Sequence, residues 1–251
     1  MRRLKILAWE CWLPIVLVAL WWVLSARSTS FYFPPLADIV SDLADGWFFE
    51  GMRENLVPSL MRILVGFSLA MVVGTVGGVA LGLLPRVEAA FRPMLELLRS
   101  TPGVALLPIA TIFLGIGDGM KIFMIVLASM WPILLNTIDG VRSVEPVLLQ
   151  VARSYRLTLA YRIRYIYAPN AAPQIFAGGR VALAIATVVM VVTEMIGSPG
   201  GIGYYILDSQ RSFNMLNMWS GIVVLGVLGY ALNLAFRLVE GRVLAWQPKK
   251  N

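Results

Sequence analysis

Six stretches of this 251-residue chain are apolar over the length needed to cross a bilayer, and no other feature constrains its fold as strongly. Spanning the hydrocarbon core takes about 20 mostly apolar residues in a helix. The stretches run roughly 8–26, 60–84, 95–115, 121–138, 174–197 and 219–239. They predict an all-α integral membrane protein with six transmembrane helices. Composition agrees. Hydrophobic residues make up 59% of the chain, against about 45–50% in soluble domains. Charged residues are 14% and cluster between the apolar runs, too few to cover a water-facing surface.

The first stretch follows Arg2, Arg3 and Lys5, as in a secretory signal. It also holds Trp9, Trp12, Trp21 and Trp22, is interrupted by Glu10, and ends in a poor cleavage site. A retained, aromatic-flanked anchor is therefore expected. Gly115-Ile-Gly117-Asp-Gly119 reads as a tight turn that makes a hairpin of the third and fourth spans. With a cytoplasmic N-terminus, the inner segments hold 14 basic residues. The outer ones hold only Arg27, Arg53, Lys121 and Arg211. That asymmetry predicts both termini in the cytoplasm. The expected organisation is an N-terminal helix with an external segment (1–55), a core of five spans (56–245) and a short tail (246–251). The external segment, from about 27 to 59, is too long for a turn and reads as a structured cap or interfacial helix.

A net charge of +7 raises the possibility of nucleic acid. The basic residues lie in short loops between spans, without the basic stripe that nucleic-acid binding requires. Cys11 is the only cysteine and there is no histidine, which removes disulfides, thiolate clusters and the usual metal ligand and proton shuttle. None of the four lysines follows a glycine, so no phosphate-binding loop is present. No nucleophile–base pair or two-carboxylate acid/base site emerges either. A transporter driven by an ion gradient would favour an internal repeat with interrupted helices at matching positions. The two halves show none by inspection.

The inner connection 139–172 is too long for a turn. Val144-Glu145-Pro146 starts a helix, since Pro suits the first helical turn. Val147, Leu148, Val151, Ala152 and Tyr155 then form an apolar stripe, interleaved with Gln150 and Arg153. The alternation Tyr161-Arg-Ile-Arg-Tyr-Ile-Tyr167 permits a strand, but an amphipathic helix suits a membrane-proximal position better. In the second span, Gly66, Ala70, Gly74, Gly78 and Gly82 recur every four residues, a ridge for close helix packing.

In the fifth span Arg180, Thr187 and Glu194 are spaced by seven and share a helical face to within about 40°. Arg180 and Glu194 lie about 21 Å apart along the axis and cannot pair with each other. Charges at membrane depth face a bundle interior or a wet cavity. These three residues therefore line a pathway, with Glu194 at an outer gate, or each bonds a neighbouring helix and locks the fold. Glu96 and Arg99 are one turn apart and read as a local pair.

The frame Gln150-Val151-Ala152, then Arg156, then Ile166-Tyr167-Ala168-Pro169 resembles the cytoplasmic loop signature of ATP-binding cassette (ABC) importer permeases. That signature is Glu-Ala-Ala, three residues, Gly, nine residues, Ile-x-Leu-Pro. Ala152, Ile166 and Pro169 match, whereas Gln150, Arg156 and Ala168 depart from it. Further motifs are Ser100-Thr-Pro102-Gly-Val-Ala-Leu-Leu-Pro108, Gly115-Ile-Gly117, Gly178-Gly-Arg180 and Glu194-Met-Ile-Gly197-Ser-Pro-Gly200-Gly-Ile-Gly203. These are similar to the subgroup that carries nitrate, taurine, alkanesulfonates and some thiamine precursors. The likeness covers about residues 55–245.

The resemblance implies the type I importer permease fold in a bacterial cell membrane. It also implies a second, identical permease subunit, an external solute-binding protein and two ATPase subunits that bind ATP and Mg, with no cofactor in this chain. The coupling segment would be Glu145, Val147, Leu148, Gln150, Val151, Ala152, Arg153, Tyr155 and Arg156, seated in a cleft of the ATPase. Arg156 at the usual Gly position implies either a different turn or a left-handed one held at a cost of about 1 kcal/mol.

Overall fold

The computed structural model describes the backbone of residues 2–247, and their side chains apart from those of 2–11, 14, 45, 48–50 and 99. Every regular element among the described residues is helical. Helix α1 (Arg2–Ser25) leads to α2 (Leu36–Gly46) and, through a π-helical turn at Trp47–Leu56, to α3 (Val57–Leu83). Next come α4 (Pro85–Ser100), a 3-10 turn, α5 (Leu107–Leu114) and α6 (Asp118–Arg142). The chain continues with α7 (Pro146–Ser154), α8 (Leu159–Arg162) and α9 (Ala168–Met195), and ends with α10 (Ile202–Arg211) and α11 (Met215–Val243).

Helices α3, α6 and α9 form the centre, and small residues decide how closely they approach. A Cβ on Gly66, Gly74 or Gly82 would lie within 2.9 Å of side-chain atoms of Ile125, Ile133 and Val141 respectively. One on Gly78 would stand 2.7 Å from the Leu134 carbonyl oxygen. The glycine ridge is thus a packing seam against α6, and the two sets of positions climb together, so α3 and α6 run parallel. Helix α9 runs antiparallel to α6: Gly140 meets Ala171 near one end, and Gly178 meets Pro132 and Ile133 further along. In lipid such close backbone approach replaces the hydrophobic drive that holds soluble helices together.

Among the described residues, four helical stretches are long and apolar enough to cross a membrane: Gly51–Leu83, Asp118–Arg142, Leu159–Met195 and Met215–Val243. The expected third span, 95–115, is not one continuous helix. Pro85–Leu98 and Gly103–Leu114 are bent by 80° at a break. Proline disfavours helical geometry in the residue before it, and Thr101, preceding Pro102, is extended with φ −75° and ψ 120°. Because α3 and α6 are parallel, the chain between them must return across their length, and the bent α4–α5 pair makes that crossing. It then turns at Gly115, whose φ of +73° suits glycine. The expected first span lies partly outside the described side chains, and its apolar helix there is the shorter stretch Ile15–Ser25. Among the described residues, four spans are continuous and one is broken. The 27–59 connection is ordered by α2, whose Leu36 and Ile39 are buried, and by Trp47, which donates from Nε1 to Ser220 Oγ (3.2 Å).

Candidate functional sites at the two ends of the bundle

At one end, α7 follows directly after α6. Glu145 is its N-cap and Pro146 opens its first turn, as the sequence predicts. Its other terminus answers the question posed by Arg156. That residue has φ +51°. Its N–H donates to the Arg153 carbonyl, and the Leu157 N–H donates to the Ala152 carbonyl, both at 2.9 Å. This is the Schellman arrangement, in which a left-handed residue closes the helix. Arg therefore holds the conformation glycine favours, at a cost of about 1 kcal/mol.

The stripe on α7 divides in two. Val147 (65%) and Tyr155 (77%) are widely exposed, and so are Leu148 and Val151. Ala152 is 1% exposed and packs inward, so it cannot belong to an outward contact face as the stripe suggested. A helix only nine residues long, laid on a bundle, must turn one of its positions onto the surface beneath it. Glu145, Gln150 and Arg153 are exposed. The following segment is helical rather than extended: Thr158 Oγ1 caps α8 by accepting from the Tyr161 N–H (3.3 Å). Tyr161 and Tyr165 stack at 4.4 Å, with the Arg164 guanidinium 5.5 Å above the Tyr165 ring. Asn170 Nδ2 ties the start of α9 to the end of α6 through Gly140 O (3.1 Å) and Ser143 Oγ (2.9 Å).

At the opposite end, Glu194 is completely buried. Both of its oxygens accept from Ser59 Oγ (2.8 and 2.9 Å), and Oε2 also accepts from the Gly203 N–H (3.0 Å). Arg62 Nη1 donates to Oε1, while Arg62 Nε donates to Asp118 Oδ1 at 2.8 Å. Lys121 Nζ stands 3.6 Å from Asp118 and donates to Ser198 Oγ at 2.8 Å. Two cations and two carboxylates thus balance across α3, α6 and α9. Ser59 Oγ accepts from the Ile202 N–H (2.9 Å), so together with Glu194 it caps the first turn of α10. The glycines of this segment follow from that closeness. At Gly201, with φ +118°, a Cβ would sit 2.5 Å from both Glu194 oxygens; at Gly203 it would meet the Val191 carbonyl at 2.5 Å.

The three residues spaced by seven on α9 are not brought to one partner. Arg180 pairs with Glu240 of α11, its Nε 2.9 Å from Oε2, and remains half exposed. Thr187 Oγ1 bonds the Leu183 carbonyl of its own helix (3.0 Å). Lys121, counted above as an outer-loop cation, is inside α6 and 1% exposed. The pairing of Glu96 with Arg99 falls on a side chain outside the described residues. Near it, Glu88 instead bonds Arg92 (3.0 Å) and Arg142 (3.1 Å). Sequence reasoning missed Ser59 and Arg62 as partners of Glu194, and Asp118 and Lys121 as the charges that extend the cluster. The available signal was Arg62 itself, a cation within an apolar span and therefore in need of a buried anion. Among the described residues, no three His, Cys, Asp or Glu side chains gather as a metal site.

Residues 55–245 match the family described as the binding-protein-dependent transport system inner membrane component. The putative aliphatic sulfonates transport permease protein SsuC of Bacillus subtilis is 30% identical, over 94% of this chain and 86% of that protein. The taurine transport system permease protein TauC of Escherichia coli is 28% identical, over 92% and 86%. The nitrate import permease protein NrtB of Synechocystis is 30% identical, over 80% and 73%. In fold, the chain is similar to a structure of the MetNI methionine ABC transporter in an inward-facing conformation. The TM-score is 0.69 at 18% identity, over 79% of this chain and 98% of that one. The chain belongs to the family of binding-protein-dependent transport system inner membrane components, and is a permease subunit of an ABC importer.

Proposed function

We propose that α7 is the site at which a separate ATPase drives this permease. The observation that carries the reading is the row of uncovered apolar side chains at Val147, Leu148, Val151 and Tyr155 on a short helix closed at its C-terminus by hydrogen bonds. Apolar surface of this kind at an aqueous end of a membrane bundle calls for a protein partner. With no phosphate loop in the chain, ATP and Mg belong to that partner. Two ATPase subunits, a second copy of this permease and an external solute-binding protein complete the importer. Closure of the ATPase pair on ATP tilts α7, and the bundle then alternates between inward and outward access. The α7 end is cytoplasmic, with both termini, and the α10 end is external; the basic asymmetry of the sequence supports this orientation.

Copurification tests the coupling site. The native chain is expected to retain the ATPase stoichiometrically, and Val147→Asp/Val151→Asp to lose it while inserting normally. Stoichiometric retention in the double variant places the coupling site elsewhere. For the orientation, a cysteine replacing Ser154 in a Cys11→Ser background should resist impermeant thiol reagents in intact cells, and rapid labelling from outside reverses the topology.

The buried cluster at the α10 end acts in this scheme as a fold lock. Glu194 is saturated by donors from α3 and α10 and has no exposed surface, which suits a fastening more than a pathway lining.

A further inference from the structure

The connection from α1 to α2 carries an aromatic run, Phe31-Tyr32-Phe33, that neither the coupling site nor the Glu194 cluster uses. Trp21 lies one turn before the end of α1 and Trp219 one turn after the start of α11, and their rings stand 5.8 Å apart. Two apolar helices thus reach the same level here. Trp47 bonds Ser220, next to Trp219, and its ring lies 4.9 Å from that of Tyr205 on α10, so this level belongs to the α10 end. The aromatic run packs onto the junction. The Phe33 ring is 5.8 Å from that of Trp219, and Trp219 Nε1 donates to the Tyr32 carbonyl at 2.9 Å. Phe31, Tyr32 and Phe33 nevertheless leave more than half of their surface uncovered.

Two features say what covers them. First, the loop satisfies much of its own backbone. The Ser28 and Phe33 N–H groups donate to the carbonyls of Ser25 and Ser30, at 2.9 and 3.3 Å. Ser28 Oγ donates to the Phe33 carbonyl, and the Leu36 N–H donates to Ser25 Oγ at 3.0 Å. Pro34 and Pro35 bring no N–H at all. Free backbone polar groups are what keep irregular chain out of lipid, so a loop with few of them leaves bulk water at low cost. Second, the run continues a surface that already faces lipid. Trp22, Val23 and Leu24 at the end of α1 are exposed, as is Ile222, one turn beyond Trp219 on the spanning helix α11. The turn from α10 to α11 differs in kind: there the exposed residues are Gln210, Arg211, Ser212 and Asn214, with Phe213 alone among them.

We infer that Phe31, Tyr32 and Phe33 form a docking surface for phospholipid. They sit among the headgroups and upper acyl chains of the leaflet at the α10 end, the external one in the orientation proposed above. Aromatic rings favour that layer because it wets one end of the ring and not the other, and exposed apolar patches of this kind mark contact with a membrane or a protein. The loop thereby holds the ends of α1 and α11 at the depth of the lipid interface. The inference goes beyond the importer reading and does not depend on where the ATPase binds.

The test uses the full-length chain with its ATPase in phosphatidylcholine vesicles, carrying Tyr32→Cys or Phe31→Cys in a Cys11→Ser background and labelled with bimane. The bond from Trp219 goes to the carbonyl of residue 32, so Tyr32→Cys leaves it in place. Gln210→Cys, exposed near the end of α10, is the water-facing control. Fluorescence is quenched in turn by lipid bearing a nitroxide on its headgroup, by lipid bearing one near its chain end, and by iodide on both sides of the membrane. At 31 and 32 the headgroup nitroxide should quench most strongly, and iodide should quench several-fold less than at 210. Iodide quenching equal to that at 210, without quenching by lipid, overturns the inference and makes the loop a water-facing surface open to a soluble partner. Strongest quenching by the deep nitroxide overturns it too, because the loop would then lie within the hydrocarbon core. So does quenching by none of the three, which would mean that a second copy of the chain covers the run.

Discussion

The two ends of this bundle are built on opposite principles. At the α7 end the residues that matter are exposed, apolar and contiguous in sequence, and the helix holds its shape through caps made within about a dozen residues. At the α10 end they are buried, charged and scattered: Arg62 and Asp118 are 56 positions apart, and Ser59 and Glu194 are 135 apart. The first end keeps its surface free for a partner. The second closes on itself, and of the four charged residues in its cluster only Asp118 is widely exposed (65%). Substitutions should therefore separate stability from assembly, each end affecting one and sparing the other.

The largest effect on the permease's own stability is expected at Glu194. Removing one member of a buried ion pair leaves the other uncompensated, at a cost of about 3–5 kcal/mol. Glu194→Ala should lower the thermal midpoint of the purified chain sharply, read by intrinsic fluorescence in detergent. Adding Arg62→Ala to it should cost far less than the sum of the two single losses, because the second change removes the stranded charge. Additive losses would show that the two side chains do not act together. Glu194→Gln preserves the shape and should fall between wild type and Glu194→Ala. Normal stability in Glu194→Ala, with transport lost, would instead make Glu194 a gate.

A smaller effect is expected at Gly201, where a side chain meets both a left-handed backbone and the Glu194 carboxylate. Gly201→Ala should destabilise by about 1–3 kcal/mol. Gly226→Ala on α11, where a Cβ meets nothing within 4 Å, should be neutral or slightly stabilising. Equal midpoints for the two variants would remove the steric account of the 200–203 glycines.

At the α7 end the effects shrink further. Arg156→Gly relieves the left-handed strain but loosens the unfolded chain, so its net change should stay under about 1 kcal/mol. A destabilisation well beyond that would reveal an Arg156 side-chain contact as the reason for the departure from glycine. Smallest of all, Val147→Asp and Tyr155→Ala should move the midpoint by no more than about 0.5 kcal/mol, as exposed positions do, while copurification of the ATPase falls. A marked loss of stability there would show that the face is already covered within the chain.

Most of the α7 end was legible in the sequence because its signals are local. Pro146 at a helix start, the apolar stripe and the amphipathic 161–167 segment are all short-range patterns, and each appears as a helix in the structure. The inward turn of Ala152 was not legible. Periodicity gives a stripe but does not say which edge of it the bundle covers. The Glu194 site was legible only as an anomaly, a charge at membrane depth that had to be met by something. Its partners lie on helices whose relative register no local pattern encodes.

By itself the sequence determined that this chain is helical, that it crosses a membrane several times, and that small residues make α3 a packing helix. Apolar length and four-residue spacing act through the segment's own backbone and need no neighbour. Tertiary structure alone decided the rest. It set the parallel pairing of α3 and α6, which forces the broken crossing between them. It fixed the meeting of Arg62, Asp118, Lys121 and Glu194, and the packing of Tyr32 and Phe33 on Trp219. These depend on where distant helices stop sliding against one another. Close contacts such as Gly78 on Leu134 and Thr137 fix that register, and they exist only once the helices are packed.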